Sequence, residues 1–135
     1  MNKEISVGEY IKTKGGHIRK VKEIEKFNED YIYVLDKEVS NCNYIFADYI
    51  KDQSPNIIDL IEVGDYVNGH KVSAVDTLYN TKKKFLILDV DSDSECAYEE
   101  EIKTILTKEQ FEKITYEVWL WNLLILFMMK IQEEI

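Results

Sequence analysis

A mainly β protein with short helices, built from two tandem repeats and closed by an apolar C-terminal helix, is the fold class this sequence predicts. Three observations carry the expectation. Landmarks recur about 55 residues apart: Ile5-Ser6-Val7-Gly8-Glu9-Tyr10-Ile11 returns as Ile61-Glu62-Val63-Gly64-Asp65-Tyr66-Val67. Gly16-His17 returns as Gly69-His70, Val34-Leu35-Asp36 as Ile87-Leu88-Asp89, and Cys42-Asn43-Tyr44 as Cys96-Ala97-Tyr98. Short segments of strand patterning fill both repeats. Finally, the run from Trp119 to Met129 has Asn122 as its one polar residue.

Each repeat opens with an alternating strand, Val7, Glu9, Ile11 or Val63, Asp65, Val67, broken by a glycine after the valine. Lys14-Gly15-Gly16-His17 and Asn68-Gly69-His70 supply the positive φ of a tight turn. A second strand follows, through Ile18, Val21 and Ile24 or Val72 and Val75, and then a third, Tyr31-Ile32-Tyr33-Val34-Leu35 or Lys84-Phe85-Leu86-Ile87-Leu88. Ser54-Pro55 has the form of a helix cap with a first-turn proline, and Thr107-Lys108-Glu109-Gln110 that of a capping box. Short helices are therefore expected near 55–60 and 107–113. Short strands, tight turns and a helical turn before a closing strand are the ingredients of a small SH3-like barrel. The preferred division is a first β repeat over 1–57, a second over 58–118 and an apolar helix over 119–135. Two open meanders sharing one sheet are the alternative.

A chain of 135 residues with 45% hydrophobic and 32% charged residues, one proline and five glycines, is a folded globule in which two small repeats pack together. The net charge of −9 disfavours direct binding to nucleic acid or anionic membrane. Residues 1–26 hold seven Lys or Arg against four acids, and the remainder ten against twenty-two, so the body is acidic with a mildly basic edge. Such a body suits a basic partner surface. Two cysteines and no export-signal pattern point to reduced thiols and a cytoplasmic location.

No catalytic motif is present: there is no Gly-x-Ser-x-Gly, no phosphate-cradling glycine loop and no His-Glu-x-x-His. A non-enzymatic protein without cofactor or metal is expected. The string from Asp89 to Glu100 imitates a calcium loop, with Ser94 where glycine is needed. His17, Cys42, His70 and Cys96 imitate a zinc set, at gaps far wider than structural sites use. Lys82-Lys83-Lys84 reads as a charged hairpin tip. Tyr10, Tyr33 and Tyr66 are candidates for a peptide-reading groove, and at strand spacing also for core.

The acidic residues Asp89, Asp91, Asp93, Glu95, Glu99, Glu100 and Glu101 are the candidate partner-binding set, carboxylates standing in for phosphates. The apolar run is too short to cross a bilayer, which takes about 20 residues. It must still be covered. Trp119, Trp121, Leu124, Phe127 and Met128 are the candidates for self-association, as a homodimer through residues 119–131. An interfacial membrane helix and a tail foreign to the repeats are the other readings.

Over Ser54-Pro55-Asn56-Ile57-Ile58-Asp59-Leu60-Ile61-Glu62-Val63-Gly64-Asp65-Tyr66-Val67-Asn68-Gly69, and again over Ile105-Leu106-Thr107-Lys108-Glu109-Gln110-Phe111-Glu112, the chain resembles small uncharacterised proteins of phages and prophages of low-GC Gram-positive bacteria. Val7-Gly8-Glu9-Tyr10-Ile11-Lys12-Thr13-Lys14-Gly15-Gly16 has the same look, and the resemblance covers about residues 5–118. Its motifs are structural and bring over no site residue. It implies an accessory or counter-defence factor in a bacterial host cell, of the anti-CRISPR type. The expected partner is then a host protein with a basic surface, such as a nucleic-acid-binding defence nuclease, with assembly through the apolar helix as the runner-up.

Overall fold

The computed structural model describes residues 4–134, with side chains described as far as Lys130. Residues 1–3, residue 135 and the side chains of 131–134 lie outside the described residues. The first repeat comprises β1 (Tyr10–Thr13), β2 (Ile18–Phe27), β3 (Asp30–Val39), β4 (Cys42–Phe46), a 3-10 turn Ala47–Tyr49 and β5 (Ile50–Ser54). The second comprises β6 (Tyr66–Val67), β7 (His70–Thr77), β8 (Lys84–Val90), β9 (Asp93–Tyr98), a 3-10 turn Glu99–Glu101 and β10 (Ile105–Leu106). A 3-10 turn, Ile57–Leu60, links them, and α1 (Lys108–Glu134) ends the chain.

The strands form two antiparallel sheets, ordered β5-β1-β2-β3-β4 and β10-β6-β7-β8-β9, so the connectivity repeats element for element. The meanders do not share one sheet. Hydrogen bonds repeat as well. The Gly8 N–H donates to the Val21 carbonyl at 2.8 Å and the Gly64 N–H to that of Val72 at 2.9 Å. Both glycines stand at positive φ, +92° and +100°, which is why each repeat breaks its opening alternation there. The second strand of each repeat shifts register at the same place, between Val21 and Glu23 or Val72 and Ala74. Such a bulge sharpens the local bend.

The registers define which residues correspond. Ile11, Val21, Tyr33, Leu35 and Ile45 match Val67, Val72, Leu86, Leu88 and Ala97, and each set forms a buried cluster. Ile5 joins the first cluster and its counterpart Ile61 the second, together with Ile58 from the linking turn. Full burial of an aliphatic side chain contributes about 1.5–3 kcal/mol, so each unit has a modest core of its own. Two landmarks of the sequence repeat shift. His70 faces Val67 as Arg19 faces Ile11, and Cys96 faces Ile87 as Tyr44 faces Val34. His17 and Cys42 are therefore not their counterparts.

For Cys42 the cause is the β3–β4 hairpin, where nine residues separate the paired Val34 and Tyr44 against eight between Ile87 and Cys96. For His17 it is the first hairpin. Seven residues separate the paired Ile11 and Arg19, against two between Val67 and His70. The longer turn projects Gly16 and His17 toward α1. Expected as a short helix near 107–113 with a separate apolar helix over 119–135, this region is one continuous helix from Lys108.

Candidate interaction surfaces

The long turn and the start of α1 form a polar junction between the units. Thr107 caps the helix: the Gln110 N–H donates to its Oγ1 at 3.3 Å, and the Gln110 side chain reaches back to the Thr107 N–H at 3.1 Å. The Thr107 hydroxyl also donates to the Gly16 carbonyl at 2.7 Å. With Gln110 Oε1 engaged by Thr107, its amide N–H meets His17 Nδ1 at 3.0 Å, so that ring nitrogen is the acceptor. Burial, then Arg19 and Lys113, lower the His17 pKa and favour the same neutral form. Asp65, fully buried, accepts the Lys108 and Glu62 N–H groups, each at 2.8 Å.

Lys12 is 1% exposed, its ammonium 3.5 Å from Glu109 and 3.8 Å from Glu62 without a hydrogen bond to either. Glu62 also pairs with Lys108 at 2.6 Å, and that bond first, with Lys12 nearby, lowers its pKa. Burial raises the Glu109 carboxyl, but its backbone hydrogen bond and the cations of Lys12, Lys51 and Lys108 outweigh it and the pKa falls. This arrangement fastens α1 to the first unit and presents no nucleophile beside a base.

Beyond its first turns α1 leaves the β units. Phe111 stacks on Tyr66 at 4.8 Å, and from Val118 onward the apolar side chains face solvent. Val118, Trp119, Leu120 and Trp121 are 53, 55, 42 and 65% exposed, and four successive residues encircle a helix. Leu124, Phe127 and Met128 are exposed likewise. Leu120, Trp121 and Leu124 line a shallow hollow with Glu117. Among the described residues no helix is long and apolar enough to cross a membrane.

The seven acidic candidates separate into two groups. Glu99 accepts the Ile58 N–H at 3.2 Å, Glu101 accepts the Tyr98 N–H at 3.1 Å, and Glu100 pairs with Lys83 at 2.9 Å. These three serve the second unit internally. Asp89, Asp91, Asp93 and Glu95 are exposed on the β8–β9 hairpin and pair with no described cation. Glu95 lies opposite Leu88 on the core-bearing face of the sheet, whereas Asp89 pairs with Ser94 on the other. The hairpin also removes the calcium-loop likeness, because residues 93–98 are strand.

Among the described residues no three His, Cys, Asp or Glu side chains converge as metal ligands, so the two histidines and two cysteines do not form a cluster. Tyr33 is a buried core residue, Tyr66 is stacked under Phe111 and Tyr10 lies beneath Lys20, so the three do not line one groove. A different groove does exist. A cleft of about 1140 Å³ opens in the first unit, lined among others by Glu4, Asp30, Tyr31, Tyr33, Phe46 and Asp48. The corresponding place in the second unit is closed by ion pairs. Lys83 bonds Glu100 and lies 4.9 Å from the centre of the Tyr98 ring, and Lys84 bonds Asp59 at 2.5 Å. Burial raises the Asp59 carboxyl, but hydrogen bonds from Lys84 and Ser54 bring its pKa below the ordinary value.

Against known proteins, no family model, no curated sequence and no solved structure matches this chain.

Proposed function

We propose that this chain is a non-enzymatic assembly protein, in which α1 joins several copies and the two β units, each of SH3-like form, stand outside as binding modules. The common strand order, with a 3-10 turn before the closing strand of each unit, supports the SH3-like form. The observation that carries the assembly reading is the exposure of apolar side chains on every side of α1 from Val118 to Met129. A monomer rarely leaves so large a contiguous patch in water. A single partner helix covers a narrow stripe, about two positions in seven, so full coverage needs two or more neighbours per helix. The twelve residues from Val118 to Met129 span roughly 18 Å, little more than half of a bilayer core, and acidic Glu112 and Glu117 precede them, which favours further copies over anionic lipid.

Sedimentation equilibrium of the full chain tests this. A trimer or larger assembly is expected at micromolar concentration, and Trp121→Glu with Leu124→Glu should yield a monomer with intact β signals. A monomeric wild-type chain would overturn the reading.

A second reading is favoured by the exposed, unpaired Asp89, Asp91, Asp93 and Glu95: the hairpin engages a basic surface on a host protein such as a nucleic-acid-binding nuclease. Charge reversal of these four residues should abolish capture of such a partner; undiminished capture would remove that role.

A further inference from the structure

The second unit shows what the cleft of the first lacks. By strand register Lys83 and Lys84 stand where the first unit has Asp30 and Tyr31, Tyr98 where it has Phe46, and Glu100 where it has Asp48. In the second unit the Lys83 ammonium sits between the Tyr98 ring and the Glu100 carboxylate, a combined ion pair and cation–π contact. The first unit keeps the ring and the carboxylate and replaces the cation with an acid. Among the described residues its cleft gathers Glu4, Asp30 and Asp48 against Lys14, and none of these is ion-paired to a described residue.

The linking segment differs in the same sense. Leu60, buried at 2%, precedes Ile61 in the second unit, whereas exposed Glu4 precedes Ile5 in the first. Tyr31 and Phe46, 50 and 40% exposed, add aromatic surface to the cleft. Its negative field is felt by the Tyr33 phenol, whose pKa is raised by burial first and then by Tyr31 and Glu4.

We propose that this cleft is a docking groove for a cationic peptide segment of a partner protein, with one Lys or Arg side chain taking, between Phe46 and Asp48, the place that Lys83 takes between Tyr98 and Glu100. The cleft volume slightly exceeds the about 300–1,000 Å³ usual for small-molecule pockets, which suits several residues of extended chain. The proposal is independent of how α1 assembles the chain.

The test uses the full-length protein and a fluorescein-labelled hexalysine peptide, with anisotropy at low salt and hydrogen–deuterium exchange to locate the contact. Binding is expected to protect residues 46–50. Asp30→Lys supplies the missing cation from within and should weaken binding at least tenfold, whereas Asp89→Lys, an equal change of charge on the β8–β9 hairpin, should alter it less than twofold. Equal weakening by the two variants, protection confined to residues 89–95, or no binding at low salt would each overturn the proposal. Asp48→Asn, which keeps shape and removes charge, should reproduce the loss if the Asp30 variant unfolds.

Discussion

Gly16 has a φ of +89°, and a Cβ built there would stand 2.5 Å from Thr107 Oγ1 and 2.7 Å from Glu109 Cβ. Gly16→Ala therefore incurs both left-handed strain and a clash with the helix cap, and should cost about 2–4 kcal/mol in urea unfolding. Gly69→Ala, at a φ of +82° with open space around it, should cost only about 1 kcal/mol. Equal losses would mean that the close approach is unimportant. His17 and its neighbours give the junction a pH dependence whose sign follows from their shifts. The folded His17 pKa lies below 6.5, so its contribution is complete above that value and is lost as pH falls through the folded pKa. Glu62 and Glu109 are depressed carboxyls, so theirs is present above the ordinary carboxylate pKa and is lost at lower pH, through their folded values. Urea midpoints should fall in two stages on acidification, and His17→Gln should flatten the first, which sets in below the ordinary histidine pKa.

The individual elements differ in how well the sequence announces them. The glycine breaks at Gly8 and Gly64, the second strands and the Thr107 capping box follow from local chemistry and are legible, whereas the bulges are not, and the opening strands start only at Tyr10 and Tyr66. The length of α1 was not, because the capping box and the apolar run are separated by Glu112, Lys113, Thr115 and Glu117, which read as a break while the backbone continues through them. Identity of residue type conceals a five-residue difference in turn length between His17 and His70, and a one-residue difference in the β3–β4 and β8–β9 hairpins between Cys42 and Cys96. The cleft is hidden for a related reason: its signal is a difference between the repeats, Asp30-Tyr31 against Lys83-Lys84, where their likeness carries no information. Replacing residues 12–18 with Asn-Gly would convert the long turn to the short one. Both sheets should survive, while amides in the first two turns of α1 should exchange at least tenfold faster, since the contacts from Lys12, Gly16 and His17 are gone. Unchanged exchange would show that Asp65 and the Thr107 cap hold the helix alone.

At the scale of the whole molecule, a chain of net charge −9 brings like-charged bodies together wherever its apolar helices assemble. Salt screens that repulsion over about 10 Å at 0.1 M, and it weakens attraction to a cationic peptide in the same way. Raising ionic strength should therefore increase the mass of the assembly while decreasing hexalysine affinity. Light scattering and anisotropy on one salt series would read the opposite slopes, and a common direction would refute the division of labour between helix and cleft. The Gly16 to Thr107 hydrogen bond spans 91 positions of the chain. At synthesis rates of about 5–20 residues per second, the first unit waits roughly 5–18 s on the ribosome before its helix partner is made. During that interval its projecting turn must stay soluble alone, a requirement met by Lys14, Gly15, Gly16 and His17. The greasy end of α1 is translated last, after both β units have had time to fold, so the segment most prone to aggregate is born onto a finished scaffold.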